Sequence, residues 1–357
     1  MLAPEATIGI LGGGQLGRML ALAAARLGLR CHVYSPEPQS CAFDVAHQHT
    51  VASYDDVEAL ARFADAVDVV TYEFENVPAQ AAAVLTAHRP VFPDPAVLAT
   101  TQDRLAEKRF VAGLGIPTAP FAPVSSAAEA ETAVARLGRP AVLKTRRLGY
   151  DGKGQTRIGP GDEAGAAWTR LGEVDCILEG FVTFAREVSV VAARGRDGAV
   201  ACFDVTENEH RDHILYKSTV PAAVSPALAA KARRIAETIA AAFAYVGVLA
   251  VEMFVVADGA GQTLLVNEIA PRVHNSGHWT IDGATVSQFE QHIRAVAGWP
   301  LGAPLRHGRV EMVNLIGAEV ADHARWLAVP GACVHLYGKG EARPGRKMGH
   351  VTRVFPE

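Results

Sequence analysis

The chain lacks a surplus of positive charge, a cysteine framework, a long apolar run, an internal repeat and any low-complexity tract. Each absence excludes something. With 34 Lys and Arg against 38 Asp and Glu, the net charge is −4, so the chain has no surface for tracking nucleic-acid phosphates. Any anion it binds must be held locally. The five cysteines, Cys31, Cys41, Cys176, Cys202 and Cys333, are odd in number and scattered, with neither the density of a disulfide scaffold nor the spacing of a zinc site. They read as reduced thiols in the cytoplasm. The longest apolar stretch, Ile239 to Val251, stops at Glu252 and falls short of the roughly 18 residues a membrane span requires. The N-terminus has no basic segment before its apolar run, so it is not a secretory signal. Neither a membrane nor a nucleic acid is expected as a partner.

What is present fits a packed multidomain protein. Hydrophobic residues make up 49% and charged residues 20%, ordinary values for a folded chain. The length of 357 residues suggests two or three domains at about 100–200 residues each. In the first hundred residues, short apolar runs (Ile8 to Leu11, His32 to Tyr34, Val67 to Phe74) alternate with Ala-rich helical pattern such as Leu16 to Leu27. That rhythm predicts βαβ units and a parallel sheet. The Pro-rich VFPDP ends it, and Gln102 to Ala112 reads as a new helix. Residues 101–297 read as an α+β domain with much antiparallel sheet. Its strands are expected at Ala141 to Lys144, Cys176 to Leu178, Val188 to Ala192, Val248 to Val256 and Leu264 to Val266, its helices at Ala127 to Leu137 and Pro226 to Phe243. The segment Trp299 to Pro304 is expected to lead into a small last domain, 298–357.

Gly12-Gly13-Gly14-Gln15-Leu16-Gly17 satisfies G-x-G-x-x-G between a strand and a helix. Three readings stand: a dinucleotide site, a structural turn, and a site for a monophosphate substrate built on Gly14, Gln15 and Leu16. The first is weakened because the strand CHVY runs into Ser35-Pro36, and Glu37 comes only after the proline. A ribose-binding carboxylate would stand at the strand end. Further on, Lys144 ends the run AVLK, and RRLGYDGKGQ follows. Three glycines among several cations let amides and ammonium groups approach a polyphosphate, although a hairpin turn with solvated charges fits the same letters.

Two carboxylates carry more information. Glu252 interrupts an otherwise apolar strand, Glu268 follows LLVN, and the turn Ala257 to Gln262 is centred between them. An antiparallel hairpin would set them nearly opposite, both buried, with Cβ atoms about 4.5–5.5 Å apart. Like charges so placed need a proton, a basic partner or a divalent cation, since an uncompensated buried charge costs several kcal/mol. Two carboxylates completed by phosphate oxygens and water suit Mg²⁺.

A lysine on a strand, a glycine-rich loop, Glu179-Gly180-Phe181-Val182 and the Glu252/Asn267-Glu268 pair occur in the order that resembles the ATP-grasp superfamily. Within it, GGGQLGRM, YEFENVP, RRLGYDGKGQ, NEIAPRVHNSGHWT and GRKMGHV resemble the 5-(carboxyamino)imidazole ribonucleotide synthase family over nearly the whole chain. The resemblance implies a Rossmann-like pre-ATP-grasp domain at 1–100, an ATP-grasp domain and a small C-terminal domain. It implies a ligase that carboxylates aminoimidazole ribonucleotide with bicarbonate and ATP in purine biosynthesis. Carried over by position, Arg104, Lys144, Gly149, Tyr150, Asp151, Gly152, Lys153, Gly154, Gln155, Glu179, Gly180, Phe181, Val182, Glu187, His210, Asn267 and Glu268 would line the ATP site. Glu252 and Glu268 would hold Mg²⁺ or Mn²⁺. One departure is His213, where the family has a small residue.

On the same footing, Arg272, His274 and Asn275 are candidates for holding bicarbonate, and Tyr150 and Asp151 for orienting the amine. Glu73 and Asn76 would contact the imidazole or ribose. Lys339, Arg343, Arg346 and Lys347 concentrate positive charge near the C-terminus, which is either a solvated tail or a 5′-phosphate site. The resemblance also implies a homodimer, and with no mutase sequence before Glu357 the next step is expected on another chain. A formate-dependent glycinamide ribonucleotide transformylase, a biotin carboxylase, a Rossmann dehydrogenase and a non-catalytic ATP sensor are the rival readings.

Overall fold

The structure, a computed structural model, describes residues 1–149, 152–259 and 261–356. Its strands form three sheets, taken in chain order. The first comprises β1 (Thr7–Leu11), β2 (Arg30–Ser35), β3 (Gln48–Val51), β4 (Val69–Tyr72) and β5 (Val91–Phe92). All pairings are parallel, in the order β3-β2-β1-β4-β5. Covered by helices, its central strands β1 and β4 are almost wholly buried, which is why they read as continuous apolar runs. The order reverses between β1 and β4, so the loops after those two strands, Gly12 to Gly14 and Glu73 to Val77, flank the crevice where such sheets bind ligands.

The second sheet is antiparallel, β6 (Phe121–Val124), β7 (Ala141–Thr145), β8 (Gln155–Ile158) and β9 (Cys176–Gly180), ordered β6-β9-β7-β8. It packs on the helices Ala127–Leu137 and Ala164–Arg170 around its own core. The third contains β10 (Arg186–Arg194), β11 (Val200–Cys202), β12 (Thr206–Arg211), β13 (Ile214–Val220), β14 (Gly247–Asp258), β15 (Gly261–Ala270), β16 (Arg309–Ile316), β17 (Ala332–Leu336) and β18 (Lys347–Phe355). Its order is β15-β14-β10-β12-β13-β16-β18-β17, with β11 on β10.

The C-terminal strands therefore make no sheet of their own. β16 pairs antiparallel with β13 from Lys217↔Val313 to Val220↔Val310, extending the central sheet. The parallel sheet is likewise not isolated: Ile8, Leu20 and Val69 share one core with Val191, Trp279, Phe289 and Met312. Consequently the crevice of the first sheet, the hairpin β14–β15 and the C-terminal strands converge. Among the described residues no helix is long and apolar enough to cross a membrane.

Candidate active site

Glu73, directly after β4, closes the glycine-rich turn that follows β1. Its Oε1 accepts from the Gly14 amide at 2.8 Å and its Oε2 from the Gly17 amide at 3.0 Å. Burial pushes this carboxyl up, against the two amides and the charges of Arg272 and Lys339. The glycines now have a reason. A Cβ on Gly12, at φ +105, would lie 2.2 Å from Glu73 Cγ, and one on Gly13 would lie 2.2 Å from Ser40 Oγ. An internal carboxylate thus occupies amides that the spacing offered to a phosphate. Leu16 is turned into the core, and Gly14 and Gln15 are half-buried. Gly12→Ala should lower stability by roughly 2–4 kcal/mol, from a left-handed backbone and an overlap with a buried side chain. A urea midpoint unchanged from the parent protein would contradict this account.

In the second sheet, β7 and β9 carry a chain of opposite charges. Lys144 Nζ lies 3.0 Å from Glu179 Oε2, and Lys108 Nζ lies 3.7 Å from Oε1. Burial would raise the Glu179 carboxyl, but the two lysines hold it below its ordinary range. With that carboxylate engaged, an adenine edge would be met by the backbone from Glu179 to Val182. Phe181 is half exposed, with the Arg157 guanidinium 4.6 Å from its ring centre. Arg104 starts the helix Arg104–Gly113; one guanidinium nitrogen donates to Glu268 Oε2 at 3.0 Å and the other to the Gly149 carbonyl at 2.8 Å. Arg146 binds the N-cap Asp103 through two nitrogens.

Gly152 and Gly154 are left-handed, φ +77 and +68, and Lys153 between them is exposed. Gln155 opens β8 opposite Lys144. Tyr150 and Asp151 lie outside the described residues. Asp212 and His213 form the two-residue turn between β12 and β13, at φ +48 and +65, the left-handed pair that such hairpins use. His213 packs against Gly152, where a Cβ would come within 2.6 Å of it. On the same hairpin His210 Nδ1 contacts the Glu187 carboxylate. Burial would lower His210, yet that carboxylate raises it above its ordinary value.

The hairpin β14–β15 sets Glu252 directly opposite Glu268, as its turn position predicts. The match depends on a bulge the turn does not reveal: Met253 pairs with Val266, so Asn267 is the extra residue. One expectation is corrected. Glu252 is largely buried, but the Glu268 side chain is 41% exposed where it meets Arg104. His274 Nε2 lies 2.9 Å from Glu252 Oε1. The Ser276 amide donates to His274 Nδ1, which leaves Nε2 to carry the proton given to Glu252. Burial would raise Glu252, but His274 and His210 hold it below the usual carboxylate range. No group of three or more Cys, His, Asp or Glu able to hold a metal occurs among the described residues.

Arg272 makes a partner the sequence reading missed. Its Nε and Nη2 meet the two oxygens of Glu75, the latter at 2.9 Å. Burial would raise Glu75, yet Arg272 brings it down to about 2. Asn275 is buried and donates to Asn314 Oδ1 on β16 at 3.0 Å. Asn76 is half-buried in the loop that bears Glu73 and Glu75. Lys339 faces Glu73 from the C-terminal segment and is lowered to about 8, by burial first and then by Arg346. Lys347 opens β18 within electrostatic reach of Glu252 and His210. Arg346 and Arg343 are engaged by Glu341, through its carbonyl and carboxylate respectively.

Two further residues escaped the sequence reading, Glu107 and Lys108. Both are buried; Glu107 accepts from the Ile269 amide at 3.2 Å, and Lys108 donates to the Val266 carbonyl at 3.3 Å. A signal existed: Arg104, Lys108 and Val111 share a helical face by their i, i+4, i+7 spacing, which places charge on a stripe that packs inward.

Comparison with known proteins covers the chain. A family model for the ribonucleotide synthetase preATP-grasp domain matches residues 5–102, the ATP-grasp domain model residues 109–289, and the phosphoribosylaminoimidazole carboxylase C-terminal domain model residues 311–357. The N5-carboxyaminoimidazole ribonucleotide synthase of Brucella melitensis is 54% identical over 99% of this chain and 98% of its own. That of Pseudomonas aeruginosa is 49% identical over 97% and 93%. Among solved structures, an N5-carboxyaminoimidazole ribonucleotide synthetase complexed with ADP superposes with a TM-score of 0.96 at 42% identity, over 100% of this chain and 94% of that one. The synthase of Aspergillus clavatus, in complex with ADP and 5-aminoimidazole ribonucleotide, gives 0.92 at 33% identity over 99% and 94%.

Proposed function

The chain belongs to the family of N5-carboxyaminoimidazole ribonucleotide synthases, and from that premise we propose how its residues divide the work. It is an ATP-dependent ligase of ATP-grasp fold that carboxylates 5-aminoimidazole ribonucleotide in purine biosynthesis. Membership sets aside the dehydrogenase and formate-dependent readings. Our residue assignment rests chiefly on one observation, the opposition of Glu252 and Glu268 beside Arg104, which also bonds the Gly149 carbonyl.

Bicarbonate is a poor electrophile. In the proposed reaction its oxygen attacks the γ-phosphorus of ATP, ADP leaves, and carboxyphosphate forms. The exocyclic amine then bonds to the carbonyl carbon, the carbon–oxygen bond to phosphate breaks, and the nitrogen loses a proton. Arg104 and Lys144 would balance charge on the transferring phosphoryl group. Glu252 and Glu268 would hold Mg²⁺, or Mn²⁺, which when bound neutralises phosphate oxygens. Tyr150 and Asp151 are assigned to the amine, and Arg272, His274 and Asn275 to bicarbonate. Glu187 and His210 would lie at the ATP ribose. Carboxyphosphate hydrolyses readily, so the site must exclude water, and the left-handed glycines 152 and 154 suit a closing loop.

Glu73, Asn76 and Gln15 are assigned to the ribonucleotide, with Lys339, Arg346 and Lys347 at its 5′-phosphate. Lys347→Ala should raise the KM for the ribonucleotide about tenfold and leave that for ATP unchanged; an unchanged ribonucleotide KM removes the phosphate assignment. The reading as a whole is tested by phosphate release from ATP with and without aminoimidazole ribonucleotide and bicarbonate. Release that ignores the ribonucleotide would overturn it. We extend the proposal to three functional units at 1–100, 101–297 and 298–357, in a cytoplasmic homodimer that passes its product to a separate mutase. Light scattering at micromolar concentration checks the dimer.

A further inference from the structure

The ribonucleotide and bicarbonate groups come from segments far apart in the chain, Glu73 to Asn76 after β4 and Arg272 to Asn275 after β15. They meet at the Glu75–Arg272 ion pair. One helix, Gln288–Ala297, reaches the second segment and the strand β4 that carries the first, through two buried polar side chains one turn apart. Gln288 binds the His274 backbone twice: its Oε1 accepts from the His274 amide at 2.8 Å, and its Nε2 donates to the His274 carbonyl at 2.6 Å. The fit is close, since a Cβ on Gly277 would come within 2.7 Å of that Oε1.

His292, four residues on, is also fully buried. Its Nδ1 accepts from the Val248 amide at 3.0 Å. Nε2 therefore carries the proton, and it donates to Thr71 Oγ1 at 2.7 Å. Thr71 is buried on β4, two residues before Glu73. Burial lowers His292 to about 4, so the ring stays neutral and the arrangement persists at neutral pH.

We propose that His292 and Gln288 are positioning residues that hold the two halves of the ribonucleotide and bicarbonate pocket in register, His292 by tying β14 to β4 through Thr71. The inference rests on the assignment of those halves given above. A neutral hydrogen bond between buried groups adds only modest net stability, because the unfolded chain bonds to water instead. Its directionality is what distinguishes it from the apolar packing around it. Loss of the tie lets the Glu73 to Asn76 segment drift relative to Arg272. The residues assigned to ATP, Arg104, Lys144 and Glu179, lie on other elements and keep their geometry.

The test uses the full-length enzyme and steady-state phosphate release. Thr71→Val keeps the shape and removes the hydroxyl, and Thr71→Ser retains it. His292→Asn keeps an acceptor for the Val248 amide but is too short to reach Thr71. We expect Thr71→Val and His292→Asn each to raise the ribonucleotide KM about tenfold, with the ATP KM within about twofold of the parent and Thr71→Ser close to it. Val296→Ala, on the same helix and equally buried, controls for packing and should lower Tm without moving either KM. Two results overturn the inference: an unchanged ribonucleotide KM in Thr71→Val or His292→Asn, or an equal rise in Val296→Ala. If the parent enzyme itself showed no ribonucleotide-dependent release, the functional reading would fall, and the inference with it.

Discussion

Glu268→Gln is expected to cut phosphate release from ATP by about 10³-fold or more while the protein stays folded with an unchanged or slightly raised Tm. The two halves of that expectation come from the same geometry. Glu268 and Glu252 are direct cross-strand partners, and like charges so placed repel. His274 and Arg104 offset that repulsion in part, and the cation proposed above would offset the rest. Glu268 is 41% exposed, and its ion pair with Arg104 at 3.0 Å is of the partly solvated kind that adds little stability. A neutral amide of the same shape relieves the repulsion and still accepts a hydrogen bond from Arg104. A metal held there, as proposed above, would lose a charged ligand. Phosphate release and thermal melting, measured on one preparation, decide the matter. Turnover within tenfold of the parent removes the metal assignment, and a large drop in Tm would mean that Glu268 is structural.

That carboxylate pair was legible because its geometry is local. Strands of a hairpin pair about their turn, so the sequence midpoint near residue 260 sets which residues face one another. Even so, the reading succeeded over a bulge at Asn267 that it did not contain. Burial of Glu268 was misjudged for a related reason: an apolar run reports on the strand, whereas exposure at its end depends on what stands across the cleft. The parallel first sheet was legible from its periodicity.

Long-range pairing was not. Glu73 bonds amides 56 and 59 residues away, so the glycine motif read as a phosphate cradle when a carboxylate of the same domain fills part of it. The Glu75–Arg272 pair spans 197 residues, and neither local propensity nor spacing carries that information. The same holds for β16 joining β13: a Pro/Gly-rich segment looks like a linker whether or not the strands beyond it return to the same sheet. The family resemblance supplied roles for these residues, but not their partners.

Arg272→Lys tests the most consequential of those partnerships. The guanidinium meets both oxygens of Glu75 while standing one residue from Val273 and two from His274, which binds Glu252. It therefore links the crevice of the parallel sheet to the carboxylate hairpin. Lysine keeps the charge but not the planar fork, and cannot satisfy both oxygens at once. Turnover at saturating substrates should fall about 10²–10³-fold, the scale seen when one preorganised donor to a developing anion is lost. The KM for ATP should hold, because Arg104 and Lys144 are untouched. Glu75→Gln separates the two roles of the arginine. If Arg272 serves only to hold Glu75, both substitutions should give the same loss. If it also holds bicarbonate, Glu75→Gln should retain about tenfold more activity than Arg272→Lys, since the guanidinium remains to meet the anion. Equal losses would confine Arg272 to a structural ion pair and leave His274 and Asn275 as the candidates for bicarbonate.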